Sequence, residues 1–375
     1  MPRAVSVIIP TFQRREFVRR AVASVLTQSY RDFELIVVDD GSIDGTREAL
    51  EPFSDRLRYV WQESRGPAAA RNAGLAVATG EIVAFLDSDD RWLSHHLEVL
   101  VETFGLHPAA VLVGTCPGFL TAGRDEPRAA QLVHPLPQLL IANDIGYVSC
   151  VGVRRSALDA VGGFSEGFEP AEYTDLVLRL ALLGPFALVR RRTVVIQATR
   201  GSMLDRGRRR GEYLQALSRS ARRTAEATRG QPVAERAEGA HRFFDALQAL
   251  DAGRTDDARE ALDDACRRFP ELSSEPVLVG RQLLNVMPGD RLTVFAAMAQ
   301  LWPEPRSDTA VALRAYALAH AVRAGHAREA ARLLRSLRPR DALLVIRRHR
   351  DVRGIVRRSV SALTHRGRES VAVPE

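Results

Sequence analysis

Over the first two hundred positions, two kinds of apolar pattern alternate. VSVIIP (5–10), the apolar part of FELIVVDD (33–40), and Ile82 to Leu86 are short continuous apolar runs, as found in strands buried on both faces of a sheet. Between the first two, Phe17, Val18, Ala21, Val22, Val25 and Leu26 recur at helical spacing in REFVRRAVASVLTQ. A helix from about Thr46 to Leu50, the strand LRYVW and a helix around PAAARNAGLAVA complete the order β-α-β-α-β-α-β. That order predicts an α/β domain with a mostly parallel sheet and helices on both faces. From 116 to 148 the pattern is broken by Pro117, Pro127, Pro135 and Pro137, as in a stretch of loops, before SCVGVRRSALDAVGGF and FALVRRRTVVIQ restore strand and helix signals.

Beyond about Arg200 the strand patterns stop and Ala/Leu/Arg-rich helices continue to the end. A boundary is expected near 201 to 210, giving an α/β domain over 1–205 and an all-α domain over 206–375. Gly253, Gly289 and Gly325 are spaced by 36 residues, and ALQALDAGRTDDAREAL resembles ALAHAVRAGHAREAARLL. Periods of this length occur in helical-hairpin arrays of the tetratricopeptide kind. The middle copy, NVMPGDRLTVFAAM, is degenerate, which leaves chance spacing open.

Composition narrows the partners. At 375 residues and 46% hydrophobic content the chain can bury two cores. No stretch approaches the roughly 18 apolar residues of a membrane span, and VSVIIP is too short for a signal-peptide core and is broken by Pro10. Cys116, Cys150 and Cys266 have neither paired nor metal-ligand spacing, which fits a reducing cytoplasm. The net charge of +7 rests on arginine alone, because the sequence contains no lysine. No nucleic-acid-binding motif accompanies that charge, so nucleic acid is not expected as a partner. In RRHRDVRGIVRR (347–358), arginines interleave with Val352, Ile355 and Val356, beside Val345 and Ile346. This suits either a solvated helix face or a peripheral contact with an anionic membrane at its inner face, and Gly354 weakens the helix.

The chemistry concentrates in EIVAFLDSDDRW (81–92), where a buried strand runs into Asp87, Asp89 and Asp90. The carboxyl ends of α/β strands are where ligands bind. Carboxylates this close raise each other's pKa unless a cation or donors compensate, and an oxygen-only set suits a hard divalent ion that keeps water and phosphate ligands. His95 and His96, which follow on a helix, are not read as ligands, and His134 has no assignment.

VSVIIPTFQR (5–14), LIVVDDGSIDGT (35–46), RGPAAARNAGLAVATGEIVAFLDSDD (65–90) and VRRSALDAVGGF (153–164) resemble, in order, the blocks of family 2 glycosyltransferases. The resemblance covers about 200 residues and implies a GT-A fold, a nucleotide-diphosphate sugar donor (UDP-, dTDP- or GDP-linked) and Mg²⁺ or Mn²⁺. It implies that Pro10, Thr11, Arg14, Asp40, Arg71 and Asp87 lie on the nucleotide-sugar side, with Asp40 facing the base and Asn72 beside Arg71. Asp89 would hold the metal, with Asp87 reaching metal or ribose and Asp90 serving structure. Gln13 departs from the Asn usual in the family. Gly162 and Gly163 suggest a backbone conformation closed to other residues near the acceptor side, following Arg154 and Arg155.

A transferase also needs a base for the acceptor hydroxyl. In the family this is usually the Asp of a Glu-Asp pair, but AEYTDLVLRLA (171–181) keeps Glu172 and has Tyr173 in the Asp position. A phenol with pKa about 10 is a poor base. Glu172 or Asp175 could take the role, the acceptor could bring an ionised nucleophile, or the chain could bind a sugar nucleotide without transferring it. The first reading implies an inverting transferase acting on an envelope glycan, a lipid-linked glycan, a secondary metabolite or a protein side chain. The last implies a binding or scaffold protein. Sequence leaves the oligomeric state and the acceptor unread.

Overall fold

A computed structural model describes residues 4–116, 128–141, 145–197, 211–276, 279–280, 282–283, 291–304, 307–324, 326 and 332–333. By contacts the chain divides into two compact units, one of residues 1–139 with 143–206 and the other of residues 140–142 with 207–375.

The first unit is built on an eight-stranded sheet. Its strands are β1 (Val5–Thr11), β2 (Phe33–Asp39), β3 (Arg58–Trp61), β4 (Ile82–Phe85), β6 (Leu112–Cys116), β7 (Arg128–Val133), β8 (Val151–Arg154) and β9 (Phe186–Arg192), in the order β3-β2-β1-β4-β8-β6-β9-β7. The first four in that order are mutually parallel, as the alternating pattern predicts. Beyond them β8 runs antiparallel to both β4 and β6, β9 is parallel to β6, and β7 is antiparallel to β9. The sheet is therefore parallel on one side and mixed on the other. A separate ribbon pairs β5 (Arg91–Trp92) with β10 (Val194–Val195) antiparallel.

All seven residues of β1 and all four of β4 are buried, consistent with continuous apolar runs covered on both faces. Helix α1 (Arg15–Leu26) buries Val18, Ala21, Val22, Val25 and Leu26, the stripe its spacing predicts. The short α2 (Thr46–Leu50) begins where Asp44 accepts from the Thr46 N–H at 3.2 Å and from its hydroxyl at 2.6 Å. Helix α3 (Pro67–Val77) opens with proline in its first turn and packs so closely on β1 that a Cβ at Gly74 would meet Ile8 Cγ2 at 2.6 Å. Among its described residues this unit also holds α4 (His96–Leu106), α6 (Arg155–Val161) and α7 (Glu172–Ala181), and α5 (Leu136–Ile141) begins in it. The parallel arrangement brings the ends of β1, β2, β3 and β4 to one edge, from which the chain continues into Phe12, Asp40, Gln62 and Leu86.

The second unit is helical in its described residues, with α8 (Glu212–Ala227), α9 (Pro232–Asp251), α10 (Thr255–Arg268), α11 (Glu271–Ser274), α12 (Arg291–Leu301) and α13 (Asp308–Ala324). Helix α9 packs on both α8 and α10. Gly253, at φ +73, turns the chain between α9 and α10, with the Arg254 N–H reaching the Ala249 carbonyl at 2.8 Å. The other two evenly spaced glycines, Gly289 and Gly325, and the basic run at 347–358 lie outside the described residues. Among the described residues no helix is long and apolar enough to cross a membrane. Cys150 and Cys266 are buried and form no disulfide.

Candidate active site

Strand β4 ends at Phe85, and Leu86 remains tied to β1 through its N–H to the Ile8 carbonyl at 3.0 Å. The acidic segment then folds into a turn closed by the Asp90 N–H on the Asp87 carbonyl at 2.9 Å. Its organiser is Ser149, whose hydroxyl donates to Asp90 Oδ2 at 2.6 Å and accepts the Asp87 N–H at 3.0 Å, while the Ser149 carbonyl takes Trp92 Nε1–H at 2.8 Å. Asp90 also accepts the Gln197 N–H at 3.0 Å. Burial first, and the charge of Asp87 second, push the Asp90 carboxyl up to about 7. Asp90 is buried and serves the turn.

Asp87 and Asp89 each meet an arginine. Asp89 Oδ2 lies 2.6 Å from Arg14 Nη1, at the start of α1. Asp87 Oδ1 accepts from Arg71 Nη2 at 2.8 Å, and Arg71 Nη1 donates to Glu172 Oε1 at 2.9 Å. Arg71, on α3, is only 4% exposed, and its guanidinium lies over the Phe164 ring at 5.2 Å. One buried cation thus joins Asp87, just beyond β4, to the first residue of α7. Burial raises the pKa of Glu172, with Asp87 adding to the rise and Arg71 opposing it.

Helix α7 is held by a second set of bonds. Asp175 Oδ2 accepts from Arg179 Nε at 2.8 Å, and Arg179 Nη1 donates to the carbonyls of Val161 and Gly163, both at 2.8 Å. Asn72 brackets the same turn, giving Nδ2–H to the Phe164 carbonyl and accepting the Phe164 N–H, each at 2.9 Å. Gly163 sits at φ +70, where a Cβ would meet Asn72 Oδ1 at 2.7 Å, so this position admits only glycine without rearrangement. Arg154 donates to the carbonyls of Ala110 and Pro108, and Arg155 to that of Ala78. Those two arginines hold loops together.

At the neighbouring strand ends, the Thr11 carbonyl accepts the Asp40 N–H at 2.9 Å, and the Thr11 hydroxyl is buried without a hydrogen-bond partner. Asp40 accepts from Gln62 Nε2 at 2.6 Å, Ser64 Oγ at 3.1 Å, and the N–H groups of Arg65 and Gly66 at 2.9 Å. It shapes the loop entering α3, whereas the start of α2 is held by Asp44 through Thr46. Gln13 adopts φ +52, with its N–H on Ser42 Oγ at 2.9 Å. Tyr173 contributes no base: its hydroxyl is buried and unpartnered, and burial pushes its pKa well above the phenolic value.

Of the residues singled out from sequence, Arg14 and Asp89 come together, as do Arg71, Asp87 and Glu172. Pro10, Thr11 and Asp40 end the adjacent strands, and Asp175 pairs with Arg179. Ser149, Gln62 and Phe164 were not foreseen as site residues. Phe164 falls inside the VGGF block, whereas Ser149 lies beside an unpatterned stretch and has no local signal. Among the described residues no group of three or more His, Cys, Asp or Glu forms a metal cage. Two carboxylates of partial exposure, 33% for Asp87 and 14% for Asp89, fit a hard ion that takes its other ligands from phosphate and water.

Residues 6–162 match the family model for glycosyl transferase family 2. The chain carries a family 2 glycosyltransferase domain. The chain is 43% identical over 104 residues to an uncharacterized glycosyltransferase, alr2836, of Nostoc sp., covering 27% of this chain and 32% of the relative. It is 41% identical over 100 residues to the UDP-Glc:alpha-D-GlcNAc-diphosphoundecaprenol beta-1,3-glucosyltransferase WfgD of Escherichia coli, covering 26% of this chain and 40% of WfgD. The matches span 40% or less of the length of these curated relatives. The structure of S. aureus TarS 1-349 in complex with UDP-GlcNAc superposes with a TM-score of 0.54 at 18% identity, covering 76% of this chain and 88% of that one. At that identity the likeness concerns the fold, which is that of a GT-A glycosyltransferase domain followed by helices.

Proposed function

We propose that this chain transfers a sugar from a nucleoside-diphosphate donor to an acceptor hydroxyl with inversion at the anomeric carbon. The observation that carries the reading is the Arg71 bridge, which sets a buried carboxylate of raised pKa beside the carboxylate pair at the end of β4. Domain family and the sheet edge support the donor class, since ligands of open α/β sheets bind at the carboxyl ends of strands. The likeness to WfgD, a UDP-Glc:alpha-D-GlcNAc-diphosphoundecaprenol glucosyltransferase, supports a UDP-sugar donor and a lipid-linked glycan acceptor.

In this mechanism the diphosphate lies against the edge formed by Thr11, Arg14 and Arg71, where guanidinium forks match phosphate geometry. Asp87 and Asp89 would hold Mg²⁺ or Mn²⁺, which supplies charge against the departing diphosphate when bound. Glu172 takes the proton of the acceptor hydroxyl as that oxygen attacks opposite the leaving group. Desolvation makes Glu172 a stronger base than an exposed carboxylate, and the charge of Arg71 opposes part of that rise. Asp175 positions α7 through Arg179. Asp40 supports the nucleotide side by ordering Gln62 to Gly66, and a nucleobase N–H could reach its carboxylate only by replacing one of those four donors. The helical unit, 206–375 in this reading, accompanies the catalytic domain of 1–205 as a second domain.

The test is nucleotide release from a panel of UDP-, dTDP- and GDP-sugars with and without Mn²⁺, comparing wild type with Asp89→Ala and Glu172→Ala. Turnover that needs metal and both carboxylates is expected. Metal-dependent nucleotide binding with no turnover for any donor, in the presence of lipid-linked and free glycan acceptors, would overturn the transferase reading.

A further inference from the structure

We infer that Arg14 is a displaceable counter-ion of Asp89 that makes the cation and the diphosphate bind cooperatively. The inference rests on the reading of this edge as a nucleoside-diphosphate site. Its basis is a difference between two arginines that pair with carboxylates of the acidic turn. Arg71 has a side chain only 5% exposed, serves Asp87 and Glu172 together, and lies over Phe164. Releasing it would strand two carboxylates at once. Arg14 has a side chain 32% exposed and meets Asp89 at 2.6 Å. Its backbone is fixed, because its carbonyl accepts the N–H groups of Phe17 at 3.0 Å and Val18 at 2.9 Å, but its guanidinium is carried on a flexible stem. It can leave Asp89 without unfolding anything.

The edge also has unmet hydrogen-bonding capacity. Arg71 Nε is buried without an acceptor, and so is the Thr11 hydroxyl, whose residue is 3% exposed. Buried polar groups are normally satisfied, so these orphans, one on the arginine that binds Asp87 and one at the end of β1, point to an oxygen-rich ligand.

Three consequences follow from charge alone. A divalent cation arriving by itself must compete with Arg14 for Asp89, so it binds weakly. A diphosphate arriving by itself must compete with Asp89 for Arg14. When both arrive, the cation takes Asp89 and the released guanidinium takes a phosphate, so each strengthens the other. Linkage requires the two enhancement factors to be equal. Arg14 is thereby a positioning residue: it is the part of the site that exchanges partners when the donor is loaded.

Calorimetry on the full chain, with MnCl₂, UDP and GDP as probes, tests this. Arg14→Gln is expected to bind Mn²⁺ without nucleotide about tenfold more tightly than wild type, and to lose a similar factor of the coupling between Mn²⁺ and UDP or GDP. Asp89→Asn, which frees Arg14 without touching it, is expected to bind UDP or GDP more tightly than wild type in the absence of metal. It keeps the test decisive should Arg14→Gln fold poorly. Wild-type coupling retained in full by Arg14→Gln, or no metal-free gain in Asp89→Asn, overturns the role of Arg14 alone. Absence of any Mn²⁺ effect on UDP or GDP binding in wild type removes the site reading and this inference with it.

Discussion

Arg71 donates to Glu172 at 2.9 Å across 101 positions of sequence, and the same guanidinium reaches Asp87 at 2.8 Å. A buried ion pair is costly to half-remove, because the remaining charge has no water to turn to. Arg71→Met therefore leaves two carboxylates uncompensated and is expected to destabilise the fold by about 3 to 5 kcal/mol at pH 7. The loss should shrink as pH falls and the stranded Glu172, whose pKa burial already raises, takes up a proton. Urea unfolding at pH 7 and pH 5 measures it, and an equal loss at both values would separate the effect from charge. Arg71→Lys, a point charge in place of a fork, is expected to keep the fold and lose most activity.

The residue at the usual base position predicts an asymmetry. The Tyr173 hydroxyl is buried without a partner, so Tyr173→Phe removes a desolvated polar group and should be neutral to stabilising by about 1 kcal/mol, with turnover unchanged. Glu172→Gln keeps the shape and removes the base, which general-base catalysis puts at a loss of about 10² to 10⁴ in kcat. Binding of nucleotide should survive in Glu172→Gln. A Tyr173→Phe variant as inactive as Glu172→Gln would refute the assignment.

The parts of the site legible in sequence are those written contiguously. Ile82 to Leu86 followed by Asp87, Asp89 and Asp90 shows a buried strand and its charged exit in one line, and the parallel half of the sheet follows from the alternation around it. The direction of β8 is not legible in this way, since Val151 to Arg154 reads as a strand in either orientation. Pairing of Arg71 with Glu172 depends on where α7 returns to the sheet, which no local pattern encodes. Asp175 shows the opposite case. Its partner Arg179 stands four residues on, at the spacing of an i,i+4 helix pair, so its structural engagement was visible beside the catalytic reading. Ser149 organises the acidic turn from 59 positions beyond Asp90, which is why nothing near it in sequence announces the role.

The backbone at Gln13 suits the Asn that is usual in the family. At φ +52 it occupies the left-handed region, which Asn tolerates better than Gln because its short amide bonds to the local backbone. Gln13→Asn is expected to stabilise by about 0.5 kcal/mol, a fraction of the cost of placing an ordinary residue there. Thermal unfolding at fixed pH checks this. A lower midpoint would mean that the contact between Gln13 Oε1 and the Ile43 N–H, at 3.4 Å, matters more than the backbone.

His96 is expected to make the first unit sensitive to acid. Its Nδ1 lies 2.8 Å from Thr193 Oγ1, Thr193 donates to Thr115 Oγ1 at 2.7 Å, and Thr115 donates to the Cys150 carbonyl at 3.1 Å. The carbonyl can only accept, so each hydroxyl proton points along the chain and Nδ1 must carry the hydrogen of the neutral ring. Nε2 is buried without a partner, and a second proton there would be both charged and unpaired. Burial, with the neighbouring His95 adding to it, lowers the His96 pKa to about 3. In the unfolded chain the ring titrates near 6.5, so between pH 6.5 and about 3 the unfolded state binds the extra proton. The stability contributed by a neutral His96 is complete above pH 6.5 and falls, by up to about 1.4 kcal/mol per pH unit, as the solution is acidified. His96→Asn, which keeps a donor for Thr193 and cannot titrate, is expected to start less stable because of the lost ring contact with Trp92, yet to lose about one proton's worth of slope between pH 6 and pH 5. Urea unfolding across that interval reads the slope directly, and identical slopes in the two proteins would mean that His96 does not carry the acid sensitivity.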